Sequence, residues 1–361
     1  MLTIIINKQY GEGMKLRRIT LPLVSSSLLV LAGCSSAEPI DVSDAPTSEE
    51  GTVATVDGAS VVVTTTILGS VVGEILTCAV GSDASMTVVM PIGADPHDFQ
   101  PSSEQVAAMS TADVVVSNGL FLEEGLVSVL ESLETDGVNV LHIAELVDPL
   151  PFADDHGDDH SDDHAGHDDH SDDPADESSE EHAHGDFDPH FWFDMERMAL
   201  AAELIGSELA TATGVGGYED CGASVAADIR SAEAEVIAVL QAVPDASRVL
   251  VTDHDAFGYF AERYDFEVAG VVVPGGSTLS DPSSRELADL VEVIEREGVP
   301  AIFANTATDS DVVAALAAEV GRDIRVVPLF VGSLGGPGSG AEDYISMMSL
   351  NASLIADALT D

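Results

Sequence analysis

From residue 61 onward, short β-branched runs alternate with longer stretches of helical apolar spacing. Val61-Val62-Val63-Thr64-Thr65 reads as a strand and 67–76 as the helix behind it. A second strand covers 86–90 and ends at Pro91-Ile92-Gly93; Ser102 and Gln105 then make a capping-box pattern opening a helix to about Met109. Strands over 113–117 and 138–143 follow. The rhythm breaks over 153–186 and returns as helices at 195–212 and 218–243, where Val225, Ile229, Val236, Val239 and Leu240 form an apolar stripe. After Pro244, strands are predicted at 248–252, 268–273, 301–304 and 325–329, and helices at 256–263, 284–297, 309–320 and 341–359. Strands alternating with helices predict an α/β fold with parallel, doubly wound sheets. The expected organisation is an N-terminal α/β lobe over 58–217, a linking helix over 218–244 and a C-terminal α/β lobe over 245–361.

The first 57 residues follow another logic. Lys15, Arg17 and Arg18 precede an apolar run from Ile19 to Leu31, followed by Ala32-Gly33-Cys34. A basic segment, a short apolar run and small residues are the features of an export signal, and 13 residues are too few for a membrane span. The Leu-Ala-Gly-Cys ending resembles a bacterial lipobox, in which Cys34 becomes lipidated; Met14 is then the natural start. The expectation is a leader over 1–34 that leaves the protein lipid-anchored on the outer face of the cell membrane. Residues 35–57, rich in Ser, Ala, Pro, Asp and Glu, read as a flexible tether. Export makes disulfides permissible, so Cys78 and Cys221 either pair or stay as two buried thiols.

Charge narrows the partners. The 361 residues hold 65 Asp and Glu against 12 Lys and Arg, a formal net charge of −53. Four of the 12 (Lys8, Lys15, Arg17 and Arg18) precede residue 34, leaving eight arginines and no lysine beyond it. Nucleic acid is excluded as a general partner, because a phosphate backbone requires clustered cations. An acidic, lysine-free surface repels itself in dilute buffer and relaxes when salt screens it, which reads as adaptation to high ionic strength. Hydrophobic residues still make up 45%, enough for a sizeable core.

The chemistry lies in the histidines. Seven of 11 (His156, His160, His164, His167, His170, His182 and His184) fall in the Asp-rich stretch 153–186. Imidazole and carboxylate together suit zinc and similar ions, so the stretch reads as a mobile metal-collecting loop. Of the other four, His142 ends a strand and reads as structural. His97 in Asp95-Pro96-His97, His190 in Asp188-Pro189-His190 and His254 in Asp253-His254-Asp255 stand where the chain leaves a strand or rejoins the fold. Ligands of open α/β sheets bind outside the carboxyl ends of strands, so two facing lobes would bring the three imidazoles to one ion.

The strings GADPHDFQPS, NGLFLE (118–123), DPHFWFD and DHDAFGYFAERY occur in order from about Val61 to the C-terminus. Together they resemble the ZnuA-like, cluster A-I solute-binding proteins, the zinc and manganese receptors of ABC importers. The resemblance implies two Rossmann-like lobes joined by a rigid helix, with the metal in the cleft between them. It also implies delivery to a membrane permease driven by an ATPase, by a monomeric receptor with no enzymatic activity. By position, His97, His190 and His254 match the family's ligand histidines. A histidine in the third position, together with the His-rich loop, points to Zn²⁺, with Mn²⁺ as the alternative cargo.

Two positions depart from the family's pattern. Gly332 stands where many members place an Asp ligand, so the fourth ligand would be a water, a loop residue, or Asp95 or Asp255. Asp95 also fits the plainer role of shaping the turn before Pro96. Asn305 stands where members often carry Glu, which leaves support of the histidines to other residues. Two further classes fit parts of the sequence: a zinc metallohydrolase with an open coordination position, and a surface adhesin or metal store built on the His-rich loop.

Overall fold

The computed structural model describes residues 59–80, 85–152, 187–308, 311–320 and 323–360. The leader with Cys34, the tether at 35–57 and the His-rich stretch 153–186 lie outside the described residues.

Four short strands, β1 (Ser60–Val63), β2 (Ser85–Val88), β3 (Val114–Ser117) and β4 (Val140–His142), form a parallel sheet in the order β2-β1-β3-β4. The Val runs of β1 and β3 are buried, as strands covered on both faces require. Flanking helices are α1 (Thr66–Val80), α2 (Ser103–Met109) and α3 (Val127–Thr135). The expected capping box of Ser102 and Gln105 opens α2. A second parallel sheet holds β5 (Val249–His254), β6 (Glu267–Val273), β7 (Ala301–Asn305) and β8 (Arg325–Leu329) in the order β6-β5-β7-β8. Both sheets therefore repeat one strand order, and in each it reverses beside the first strand. That reversal opens a crevice at the carboxyl ends.

Between the sheets run α4 (Met195–Thr213) and α5 (Gly217–Leu240). They pack backbone to backbone through Gly206 and Gly222: a Cβ on either would stand 2.6 Å from a main-chain oxygen of the other helix. Val225, Ile229, Val236 and Leu240 of α5 are buried, but Val239 is 37% exposed. It lies one residue off the stripe that 225, 229, 236 and 240 set at helical spacing, so its place in the predicted stripe is corrected. The second lobe adds α6 (Gly258–Tyr264), α7 (Ser284–Glu297) and α8 (Asp311–Glu319), and the described chain closes with α9 (Tyr344–Thr360).

One core cluster runs through both lobes. It takes Val61 and Val116 from the first sheet, Ile229 and Val236 from α5, Leu250 and Phe303 from the second sheet, and Ile355 from α9. A disulfide joins Cys78 of α1 to Cys221 of α5. Arg263 of α6 donates to buried Glu233 of α5 at 2.7 and 2.9 Å, while Asp194 caps α4 and holds Arg197 at 2.6 Å. Among the described residues, no helix is long and apolar enough to cross a membrane.

Candidate metal centre

Three buried imidazoles meet where the carboxyl ends of the two sheets face each other. His97 follows β2 in the turn 93–98, His190 precedes α4, and His254 is the last residue of β5; their exposures are 3, 1 and 2%. The Nε2 atoms of His97 and His190 stand 3.3 Å apart, and ring centroids are separated by 5.3 to 5.8 Å. One nitrogen from each ring lies within 4.8 Å of the others, and among the described residues this is the group of side chains that could hold a metal. Neither Asp95 nor Asp255 joins it. His142 lies apart, with Nδ1 2.7 Å from the Ser117 hydroxyl.

A carboxylate stands behind each ring. Asp188 Oδ1 accepts from the main-chain N–H of His190 at 2.9 Å and pairs with its Nδ1 at 2.8 Å. Asp253 Oδ1 does the same for His254, at 3.0 Å to both. An oxygen already holding a main-chain N–H acts as acceptor toward the ring too, which places the proton on Nδ1 and leaves an Nε2 lone pair facing inward. Asp95 Oδ1 takes the N–H of His97 at 3.1 Å, but the ring Nδ1 instead faces Glu124 Oε1 at 3.6 Å.

The titrations follow from this placement. Burial drives His190 well below its ordinary value, and the neighbouring His254 and His97 push it further. Burial also works against charge on His254, yet Asp253, its hydrogen bond and the fields of Asp95 and Asp255 outweigh it and raise the pKa. Burial lifts Asp188 to about 7, against the opposing effects of the His190 N–H and the other two imidazoles. Burial likewise opposes ionisation of Asp253, but His254 and the Asn305 N–H hold it below the usual carboxylate range.

The motif loops hold this arrangement in place. Buried Glu123 of NGLFLE accepts from the Thr64 hydroxyl at 2.6 Å and from the N–H groups of Asn118 and Gly119 at 2.7 and 3.1 Å. Leu120 and Phe121 can then adopt the positive φ that the turn needs (51° and 63°). Asn118 donates its amide to the Pro189 carbonyl at 2.9 Å, tying the loop to the His190 turn. Tyr259 donates its hydroxyl to the Asp188 carbonyl at 2.9 Å. Gly258 approaches Asp188 so closely that a Cβ there would stand 2.8 Å from Oδ2. Trp192, buried beside the His190 ring, donates to the Val331 carbonyl of the second lobe at 3.1 Å.

The two departures have physical counterparts. A Cβ at Gly332 would meet Pro96 Cδ at 2.7 Å, so the turn carrying His97 occupies the space an aspartate would need. Asn305 supports the site through its main chain, donating to Asp253 Oδ2 at 2.8 Å. Asp95 is held on both oxygens, by the His97 N–H and the Thr278 hydroxyl, and so acts as a turn former. Three residues of the site were not anticipated. Asp188 and Asp253 stand two and one residues before their histidines, in the Asp-Pro-His and Asp-His strings. Glu124 reaches His97 only through the fold.

Bonds of about 2.0–2.1 Å to tetrahedral zinc imply a nitrogen–nitrogen edge of about 3.3–3.4 Å, which the His97–His190 spacing matches. Three imidazole nitrogens meeting in a buried pocket are a donor set for a borderline divalent cation. The family model described as zinc-uptake complex component A, periplasmic (ZnuA) matches residues 61–358. A manganese-binding lipoprotein, MntA, of Halalkalibacterium halodurans is 26% identical over 334 residues, covering 92% of this chain and 95% of the relative. The zinc-binding protein TroA of Treponema pallidum is 28% identical over 316 residues, covering 85% and 91%. The solved structure of periplasmic zinc-binding TroA superposes with a TM-score of 0.68 at 26% identity, covering 84% of this chain and all of that one. The chain thus belongs to the periplasmic zinc-uptake component A family, the metal-binding receptors of ABC importers.

Proposed function

We propose that this protein captures Zn²⁺ outside the cytoplasm, on His97, His190 and His254, and delivers it to the permease and ATPase of an ABC importer. The observation that carries this reading is the convergence of three buried imidazoles whose outer nitrogens are turned to carboxylates. Three nitrogen donors and a water fit zinc, whereas manganese favours oxygen-rich sites. The kinship to MntA makes manganese the second reading. A hydrolytic role finds less support, since Asp188 and Asp253 are committed to their imidazoles rather than turned to a metal-bound water. Residues 1–34 serve in this reading as an export leader ending in the lipidated Cys34, and 35–57 as the tether of a monomer. The 153–186 stretch gathers cations in this reading; the described residues on either side of it meet in the Pro151–Phe187 bridge next to Asp188.

Competitive titration of Zn²⁺ and Mn²⁺ tests the proposal, with and without residues 154–186 and in His254→Ala. One tight zinc site that survives loop removal and is lost in His254→Ala is expected. Manganese preference, or loss of all binding with the loop, would overturn it.

A further inference from the structure

The loop 274–282 between β6 and α7 crosses from the second lobe onto the first. Gly275 turns it at φ 90°, and Gly276 lies flat on Phe152, where a Cβ would collide with the ring. The Ser277 hydroxyl donates to Glu124 Oε1, and the Thr278 hydroxyl to Asp95 Oδ2, both at 2.5 Å. Both are first-lobe carboxylates beside His97. Asp95 holds its main-chain N–H, and Glu124 faces its Nδ1 at 3.6 Å. That Nδ1 is buried with no hydrogen-bond partner, unlike those of His190 and His254. A shift of about 0.4 Å would bring Glu124 into hydrogen-bond range. On the other side of the loop, a cavity of about 300 Å³ bounded by Thr278, Ser280, Asp281 and Thr308 reaches His254.

From this geometry we infer that Glu124 is a positioning residue for His97, set in place from the opposite lobe by Ser277. The first imidazole is then aligned for the cation only while the β6–α7 loop is clasped across the cleft. The inference rests on the metal-receptor reading and adds to it the residues that govern how long the cation is held. Glu124 does not touch the cation: it fixes the ring, and Ser277 and Thr278 fix Glu124 and Asp95. Opening the loop frees both carboxylates and exposes the side of the site next to His254.

The test is stopped-flow release of Zn²⁺ from the full chain into a chelator, with Co²⁺ absorption as the probe of ligand geometry. Ser277→Ala and Glu124→Ala are expected to release zinc about three- to tenfold faster, the loss of one hydrogen bond, with association little changed. Glu124→Ala should also alter the tetrahedral Co²⁺ bands. Glu124→Gln, which can still accept from Ser277 and from the ring, should restore both release rate and spectrum. A release rate and spectrum unchanged in Glu124→Ala, or a Gln variant as fast as the Ala variant, would overturn the assignment. Wild-type protein that binds neither zinc nor cobalt would sink the receptor reading and this inference together. Normal binding without any response to Ser277 or Glu124 substitution would sink this inference alone.

Discussion

Asp188→Asn should weaken zinc binding and stabilise the metal-free protein at the same time. The asparagine Oδ1 can keep both contacts of Asp188 Oδ1, to the His190 N–H and Nδ1, so geometry is retained and the charge is lost. Removing such a partner behind a ligating imidazole costs about 10–100-fold in affinity, or about 1.4–2.7 kcal/mol. The penalty depends on pH. Burial raises Asp188 to about 7 in the empty site, so below that the wild type also presents a neutral group and loses its advantage. The affinity gap should be widest near pH 8 and should narrow toward pH 6. Stability moves the other way. A folded-state pKa raised from 3.8 to about 7 contributes stability that is present below 3.8 and is lost as pH rises through about 7. The amide cannot ionise, so the metal-free variant avoids that loss, on the order of 1–4 kcal/mol at pH 8. Chelator-competed zinc titrations at three pH values and melting of the metal-free proteins at pH 8 measure both effects. A penalty equal at all pH values, or a variant that melts below wild type when metal-free at pH 8, refutes the reasoning.

Gly332→Asp should lose zinc affinity without gaining manganese, because its Cβ meets Pro96 Cδ at 2.7 Å and displaces the His97 turn; overpacking of this kind costs about 1–3 kcal/mol. A manganese titration showing tighter binding in the variant would refute that account. Cys221→Ser opens a cross-link spanning 143 residues between α1 and α5 and should lower stability by about 2–5 kcal/mol. Melting in reductant should bring the wild type down to the variant, and a wild type insensitive to reduction would count against it. At net charge −53, with Arg197, Arg230, Arg248, Arg263, Arg285 and Arg296 already holding carboxylates, the melting temperature should climb between about 0.1 and 2 M KCl as repulsion is screened. A flat or falling curve would argue against a surface adapted to salt.

Sequence pattern located the strands and most helices because β-branched runs and apolar spacing are local properties. It missed α3, nine residues long, since a short segment between two loops carries little periodicity. His97, His190 and His254 stood out because each follows an Asp-Pro or stands between two Asp, at a turn or a strand end. Asp188 and Asp253 were equally visible, one or two residues upstream. Their role could not be read there, because it depends on Oδ1 folding back onto both a main-chain N–H and a ring nitrogen. Glu124, 27 positions from His97, carried no sequence signal: its reach to the ring and its anchor on Ser277 arise only when the lobes meet.

This split between local and assembled features bears on how the protein holds its cargo. His97 and His190 come from the first lobe and already stand 3.3 Å apart, while His254 comes from the second. A cation on the first pair alone has two nitrogen ligands; only lobe contact supplies the third. On the receptor reading, a cation held by all three imidazoles therefore stabilises the contact between the lobes by mass action, as any ligand favours the form that binds it. The Thr66–Ser333, Thr278–Asp95 and Ser277–Glu124 contacts lie around the same seam and would open with it. On the receptor reading proposed above, a site without His254 keeps two nitrogen ligands, one fewer than the three-histidine set that suits zinc.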